Sequence, residues 1–212
     1  KKIDDGVVTA LIEKIEDWLY GFEFTDRIRD LEMITNPFSP PIYQLISAPM
    51  GYGKTRLLEI AQIKLKKQNW HCINLTLSRG RKYSIKQFTL ELLKEFKVGK
   101  EEIASFEKDL DMVNECGRRI GITMVSFFSK FKKKLNLTKN ICILIDQAEL
   151  LHSPEEENSL VQEVFRTFIP SMSEVVKSKD KNIKWRFIFS GRYIAKWENK
   201  INRNNIPLLA YE

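Results

Sequence analysis

The stretch Met50-Gly51-Tyr52-Gly53-Lys54-Thr55-Arg56 sets two glycines, two cations and a hydroxyl side by side. Glycines let a backbone curl so that successive N–H groups converge on an anion, and a helix starting at the lysine adds the positive end of its dipole. The chemistry implied is the grip of a nucleoside triphosphate. The backbone of Met50, Gly51, Tyr52 and Gly53 would cradle the phosphates, with Arg56 beside them. Lys54 would neutralise the β/γ-phosphates, and the Thr55 hydroxyl would ligate Mg²⁺. Counting back from Gly53, the first glycine of the G-x-x-x-x-G-K-T pattern is replaced by Ala48, the next smallest residue, so the turn is expected to be kept.

A second group stands at the ends of later apolar runs. Asp146 closes Ile141-Cys142-Ile143-Leu144-Ile145, where a carboxylate would hold Mg²⁺ directly or through a water, just beyond a strand's carboxyl end. Gln147 follows directly and Glu149 comes two residues later. Glu149 is then the base for an attacking water, or else Gln147 only positions that water and hydrolysis is slow. Ser190 and Arg192 end another apolar run, where a hydroxyl could orient water and an arginine could sense terminal-phosphate charge; the plainer alternative is a surface turn. Asp26 and Arg27 either line a base or ribose pocket or cap a helix.

These residues need strands and helices in alternation to hold them. Ile42–Ile46 reads as a buried strand before the glycine turn, and Leu57–Leu65 has helical spacing after it. His71–Leu77 alternates as a strand, and Ser84 is placed to cap a helix through Phe96. Residues 97 to 116 read as helical or irregular, and Ile120 to Leu135 as a strong helix. Asn140–Ile145 is the kind of continuous apolar run buried on both faces of a parallel sheet. A long helix is expected from Pro154 to Met172, a strand over Ile183–Ser190, a helix from Tyr193 to about Ile201 and a last strand near Leu208. Upstream, Val7–Leu19 and a segment capped by Thr25 read as helices, ended by Pro37, Pro40 and Pro41. The implied fold class is α/β, a three-layer sandwich with a mostly parallel sheet and helices on both faces. A helical N-terminal segment, residues 1–35, would precede a phosphate-loop domain over 36–212.

With 212 residues, 43% of them hydrophobic, the chain can bury a substantial core. Its net charge of +7 favours anionic partners without selecting one, and the lysine clusters at 130–134 and 177–184 read as solvated faces. Cys72, Cys116 and Cys142 have neither disulfide nor metal spacing and suit a reducing compartment. No signal peptide and no apolar run of about 20 residues is present, so a cytoplasmic location and no membrane partner are expected. The absence of an initial methionine and the apolar tail after Ile206 suggest one domain of a longer protein.

On four stretches the chain resembles the P-loop ATPases of the AAA-related and STAND type. These are Phe24-Thr25-Asp26-Arg27, Gly51 to Leu58, Ile145-Asp146-Gln147-Ala148-Glu149-Leu150, and Phe187-Ile188-Phe189-Ser190-Gly191-Arg192. The resemblance spans roughly residues 22–212 and implies ATP/ADP and Mg²⁺ as cofactors. It also implies an ATP-held open form, an ADP-held closed form, and self-association or partner domains in the full-length protein. In the leading reading the chain is a slowly hydrolysing regulatory switch of a signalling or defence protein. A second is a nucleic-acid-associated ATPase similar to origin-recognition and helicase-loader proteins, although no basic stripe interleaved with aromatics supports it. A third is a scaffold that keeps its nucleotide unhydrolysed.

Overall fold

The computed structural model describes residues 27–36, 43–96, 98–113, 117–131, 140–151, 160–172, 184–197 and 208–210. Its strands are β1 (Tyr43–Ser47), β2 (Trp70–Thr76), β3 (Asn140–Asp146), β4 (Trp185–Gly191) and β5 (Leu208–Ala210). They form one five-stranded sheet in the order β2-β3-β4-β1-β5. Every pairing is parallel. The run read from sequence as a doubly buried strand is β3, whose last six residues are all buried.

Because side chains alternate along a strand, the apolar runs feed two cores at once. On one face Leu45, Ile73, Ile143, Ile145, Phe187 and Phe189 meet Phe88, Leu92, Phe106, Met124, Phe165 and Phe168. These come from the strands and from α3 (Ile85–Glu95), α4 (Lys100–Asp111), α5 (Gly117–Phe131) and a helix over residues 160–172, here α6. On the other face Ile46, Cys142, Leu144 and Ile188 meet Leu57, Leu58, Ala61 and Leu65 of α2 (Lys54–Lys67) and Ile34 of α1 (Ile28–Thr35). The result is the P-loop three-layer sandwich. Cys72 and Cys142 are free and face each other in register on this second side.

Local chemistry explains several boundaries. Ser84 accepts from the Gln87 N–H while the Gln87 side chain accepts from the Ser84 N–H, a reciprocal cap that starts α3. The charged stretch after Val98 is helical because Phe106 and Leu110 bury a narrow stripe. Helix α6 opens as Leu160–Glu163 and widens into a π-helical turn at Val164–Phe168. The segment expected as a helix from Tyr193 to about Ile201 opens with a 3-10 turn, Ile194–Lys196, and passes into α-helix at Trp197; residues 198–201 fall outside the described residues. Tyr193 sits in the left-handed region at φ 58°, so the helical turns begin after it, while Ile194 and Trp197 are buried and hold them on the core. Thr25, the Val7–Leu19 helix, residues 37–42, Cys116, Leu135 and Pro154 fall outside the described residues.

Helices α5 and α6 approach so closely that a Cβ on Gly121 would lie 2.8 Å from the Phe168 carbonyl oxygen and 3.2 Å from Ser171 Cβ. Backbone cannot yield as a flexible side chain does. Gly121→Ala is therefore expected to destabilise the fold by about 1–3 kcal/mol, the usual cost of overpacking, as a lower urea midpoint with an unchanged m-value.

Candidate nucleotide site

The parallel register places the carboxyl ends of β1, β3 and β4 along one edge of the sheet, with Ser47 opposite Gly191. The Ala48 N–H donates to the Gly191 carbonyl at 3.3 Å, carrying the pairing one residue past β1. Ala48 is buried at 2% exposure, so its small side chain suits the position where the pattern usually has glycine. The chain then turns through Gly51 (φ 87°) and Gly53 (φ 67°), which only glycine adopts without strain, and enters α2 at Lys54.

Lys54 folds back into this curl. Its Nζ donates to the carbonyl oxygens of Ala48 (2.8 Å) and Pro49 (2.7 Å). Burial holds its pKa below the ordinary lysine value, against the opposing pull of Glu149 and Asp146. Thr55 Oγ1 donates to Asp146 Oδ2 at 2.6 Å, joining the start of α2 to the end of β3. The other Asp146 oxygen accepts from the Gln147 N–H at 2.9 Å. That bond bends the chain sharply, with Gln147 at φ 56°. Glu149 then rides on a 3-10 turn, Ala148–Leu151, anchored by buried Ala148 and Leu151.

Glu149 faces Arg192 across the cleft. Its Oε1 accepts from Arg192 Nε and its Oε2 from the Arg192 backbone N–H, both at 3.0 Å. The cleft between these groups holds about 470 Å³ and is lined by Met50, Gly51, Gly53, Lys54, Thr55, Arg56, Arg79, Asp146, Gln147, Glu149 and Arg192. Lys54, Arg56, Arg79 and Arg192 outnumber the two carboxylates, a balance suited to a polyanion.

Most of the residues picked from sequence are therefore brought together. Arg27 and Ser190 stand apart from the cleft lining. Arg27 donates to the Tyr52 carbonyl at 2.5 Å and to Asp30 at 3.0 Å, so it braces the phosphate loop from outside. Ser190 is fully buried opposite Ile46, and its Oγ makes no hydrogen bond among the described residues. Tyr52 is also not among the cleft lining, its carbonyl accepting from Arg27, and Asp26 lies outside the described residues. Arg79 was missed. It follows β2 at a strand's carboxyl end, and the rule that selected Asp146 would have selected it too.

The sequence matches no known family and no curated protein. In fold it is similar to the Aeropyrum pernix ORC2 protein in its ADP form, with a TM-score of 0.52 and 7% identity over 85% of this chain and 45% of that one. The same protein in ADPNP–ADP complexes gives a TM-score of 0.51 and 10% identity, over 91% of this chain and 45% of that one. The likeness is one of P-loop fold. The chain spans under half the length of those proteins.

A lysine grips phosphate as its ammonium form, the role expected of Lys54. Since burial keeps its pKa below 10.5, ADP affinity is expected to decline with rising pH earlier than an ordinary lysine would dictate. The fold itself moves the other way, because a depressed lysine pKa costs stability at low pH and the cost is relieved as pH rises through the folded value. Calorimetric titration with ADP over an alkaline series checks this. An affinity flat up to pH 10.5 would detach Lys54 from binding.

Proposed function

We propose that this chain is an ATP-binding, slowly hydrolysing P-loop domain of AAA-related kind within a longer protein. The observation that carries the reading is Thr55 hydrogen-bonded to Asp146 at 2.6 Å beside a lysine curled into a glycine turn. This hydroxyl and carboxylate already share one point in space, so they fit a Mg²⁺ ion as joint ligands. When bound, Mg²⁺ supplies charge neutralisation at the β- and γ-phosphates. Lys54 gives up its loop carbonyls for phosphate oxygens, at no cost in buried charge. Glu149 accepts the proton of the attacking water, and Gln147 at the cleft wall orients that water. Adenine is favoured over guanine because no Asn-Lys-x-Asp guanine-reading motif follows a strand. An arginine from a neighbouring subunit would raise the rate further.

For the setting, the nucleic-acid-associated reading has the better support. The solved chains similar in fold are origin-recognition proteins, and the net charge is +7. An exposed basic run, Arg79-Gly80-Arg81-Lys82, also leads away from the cleft. The STAND-like switch reading rests on the Asp146-Gln147-Ala148-Glu149 order and on a strand ending in Arg192.

Saturating Mg-ATP is expected to raise the melting temperature by several degrees, since ligand at 100 times Kd contributes about 2.7 kcal/mol. Lys54→Ala should abolish that shift and leave the unliganded melt in place. Retained tight binding in the variant would remove the phosphate loop from the reading. Glu149→Gln should lower turnover by about 10²-fold or more while binding persists. Duplex DNA binding that weakens steeply with salt supports the nucleic-acid setting; none at physiological salt leaves the STAND-like one.

A further inference from the structure

A row of side chains crosses three strands at a level that the nucleotide cleft does not use. Cys72 of β2 stands in register with Cys142 of β3, and Cys142 stands in register with Arg186 of β4. Both cysteines belong to the apolar layer under α2. Neighbouring strands lie about 4.8 Å apart, inside the Cα separation of roughly 4.4–6.8 Å that a disulfide spans. The two thiols are hydrogen-bond neighbours, so their sulfurs already meet. They differ in access. Cys142 is fully buried, whereas Cys72 is half-buried, on the strand at one end of the sheet order. Burial, with the Cys72 thiol beside it, holds the Cys142 pKa above the ordinary thiol value, and the Arg186 guanidinium pulls it the other way. That guanidinium is itself buried, and its Nε has no partner among the described residues. A positive charge that hydrogen bonds answer only in part therefore sits behind the buried sulfur.

We propose that Cys72 and Cys142 form a reversible dithiol–disulfide site whose oxidant is a hydroperoxide. Cys72, the accessible sulfur, attacks as its thiolate. A sulfur–oxygen bond forms, the peroxide O–O bond breaks, and the departing oxygen takes up the proton that Cys72 gave, leaving Cys72 as a sulfenic acid. The Cys142 sulfur then attacks the Cys72 sulfur. The sulfur–sulfur bond forms, the sulfur–oxygen bond breaks, and the hydroxide leaves as water with the proton of Cys142. The Arg186 charge favours the electron-rich Cys142 sulfur as that proton departs. In sum two thiols lose two electrons and the hydroperoxide gains them, becoming water and an alcohol, or two waters from hydrogen peroxide. Cys72 stays within reach of solvent, so a small thiol can attack the bond and return both cysteines to the reduced form. A pair of this kind suits a reducing compartment, where disulfides that form are transient and redox-sensing. The bond closes the segment between residues 72 and 142, which carries α3, α4 and α5, and so restricts the unfolded chain.

The test is oxidation of the folded 212-residue chain with a small excess of hydrogen peroxide, quenched by alkylation before denaturation and read by mass spectrometry. The expected product is a monomer on a non-reducing gel that has lost two hydrogens, with the peptides of Cys72 and Cys142 joined and Cys116 alkylated. Dithiothreitol should restore both thiols. The sulfenic acid is the second readout. In Cys142→Ala a dimedone adduct should accumulate at Cys72, because nothing resolves it, whereas the wild-type chain should give little. In Cys72→Ser the buried Cys142 should remain a free thiol. Three results overturn the proposal: Cys72 driven to sulfinic acid while Cys142 stays reduced, a bond that runs to Cys116 or to a second chain, or dimedone labelling equal in wild type and Cys142→Ala. The oxidised chain should also melt at or above the reduced one. A lower melt overturns the proposal as well, since it means that the bond forms only once the sheet has been disrupted.

Discussion

The hydrogen bond between Thr55 and Asp146 spans 91 positions of sequence and is the contact on which the rest of the site depends. It forms because β3 and the start of α2 both end at the same edge of a parallel sheet. Strand β4 lies between β1 and β3, so the phosphate loop and Asp146 are not on adjacent strands. The space so opened is where Arg192 enters, from the end of the intervening strand. Had β1 and β3 been neighbours, Glu149 would have no partner from β4 and the cleft would lose one of its four cations. The strand order is thus a statement about chemistry: it decides which side chains share the cleft.

Much of this was legible in the sequence, for reasons specific to particular segments. The phosphate loop is contiguous, so its residue types alone define the turn, and β3 announces itself as five apolar residues before a carboxylate. Order across the sheet was not legible, because periodicity reports how a segment is buried and not which strand it borders. The pairing of Glu149 with Arg192, 43 residues apart, depends on that order. For Arg27 the sequence left pocket lining and helix capping open; it stands at the N-cap of α1, and its bond to the Tyr52 carbonyl depends on a fold that spacing does not report. Helical spacing of Ile194 and Trp197 places the turns after Arg192, but that they start one residue late, after left-handed Tyr193, depends on tertiary context.

Arg186 shows how the sheet tolerates a residue that patterning would exclude. It lies mid-strand in β4 with 0% exposure. A buried cation is costly unless its donors are satisfied. Here Nη2 donates to Gln44 Oε1 at 2.8 Å, with longer contacts from Nη1 to the Asn36 carbonyl and from Nη2 to the Met33 carbonyl, both 3.5 Å, while Nε has no partner among the described residues. Those carbonyls lie at the carboxyl end of α1, the negative end of its dipole, so the helix offsets part of the charge. Burial lowers the Arg186 pKa, yet a guanidinium starts so high that it stays charged.

Helix α1 is consequently pinned at both ends to different parts of the machine. At its carboxyl end the Met33 carbonyl accepts from Gln44 Nε2 and from Arg186, both in the central sheet. At its amino end Arg27 grips the carbonyl of Tyr52, between the two left-handed glycines of the phosphate loop. Eight residues of helix span about 12 Å at 1.5 Å each, so α1 is a strut from the rim of the nucleotide cleft to the rigid core. The sheet end cannot yield without exposing a buried cation. The contact of Arg27 with the Tyr52 carbonyl therefore ties the glycine turn, through α1, to that fixed end.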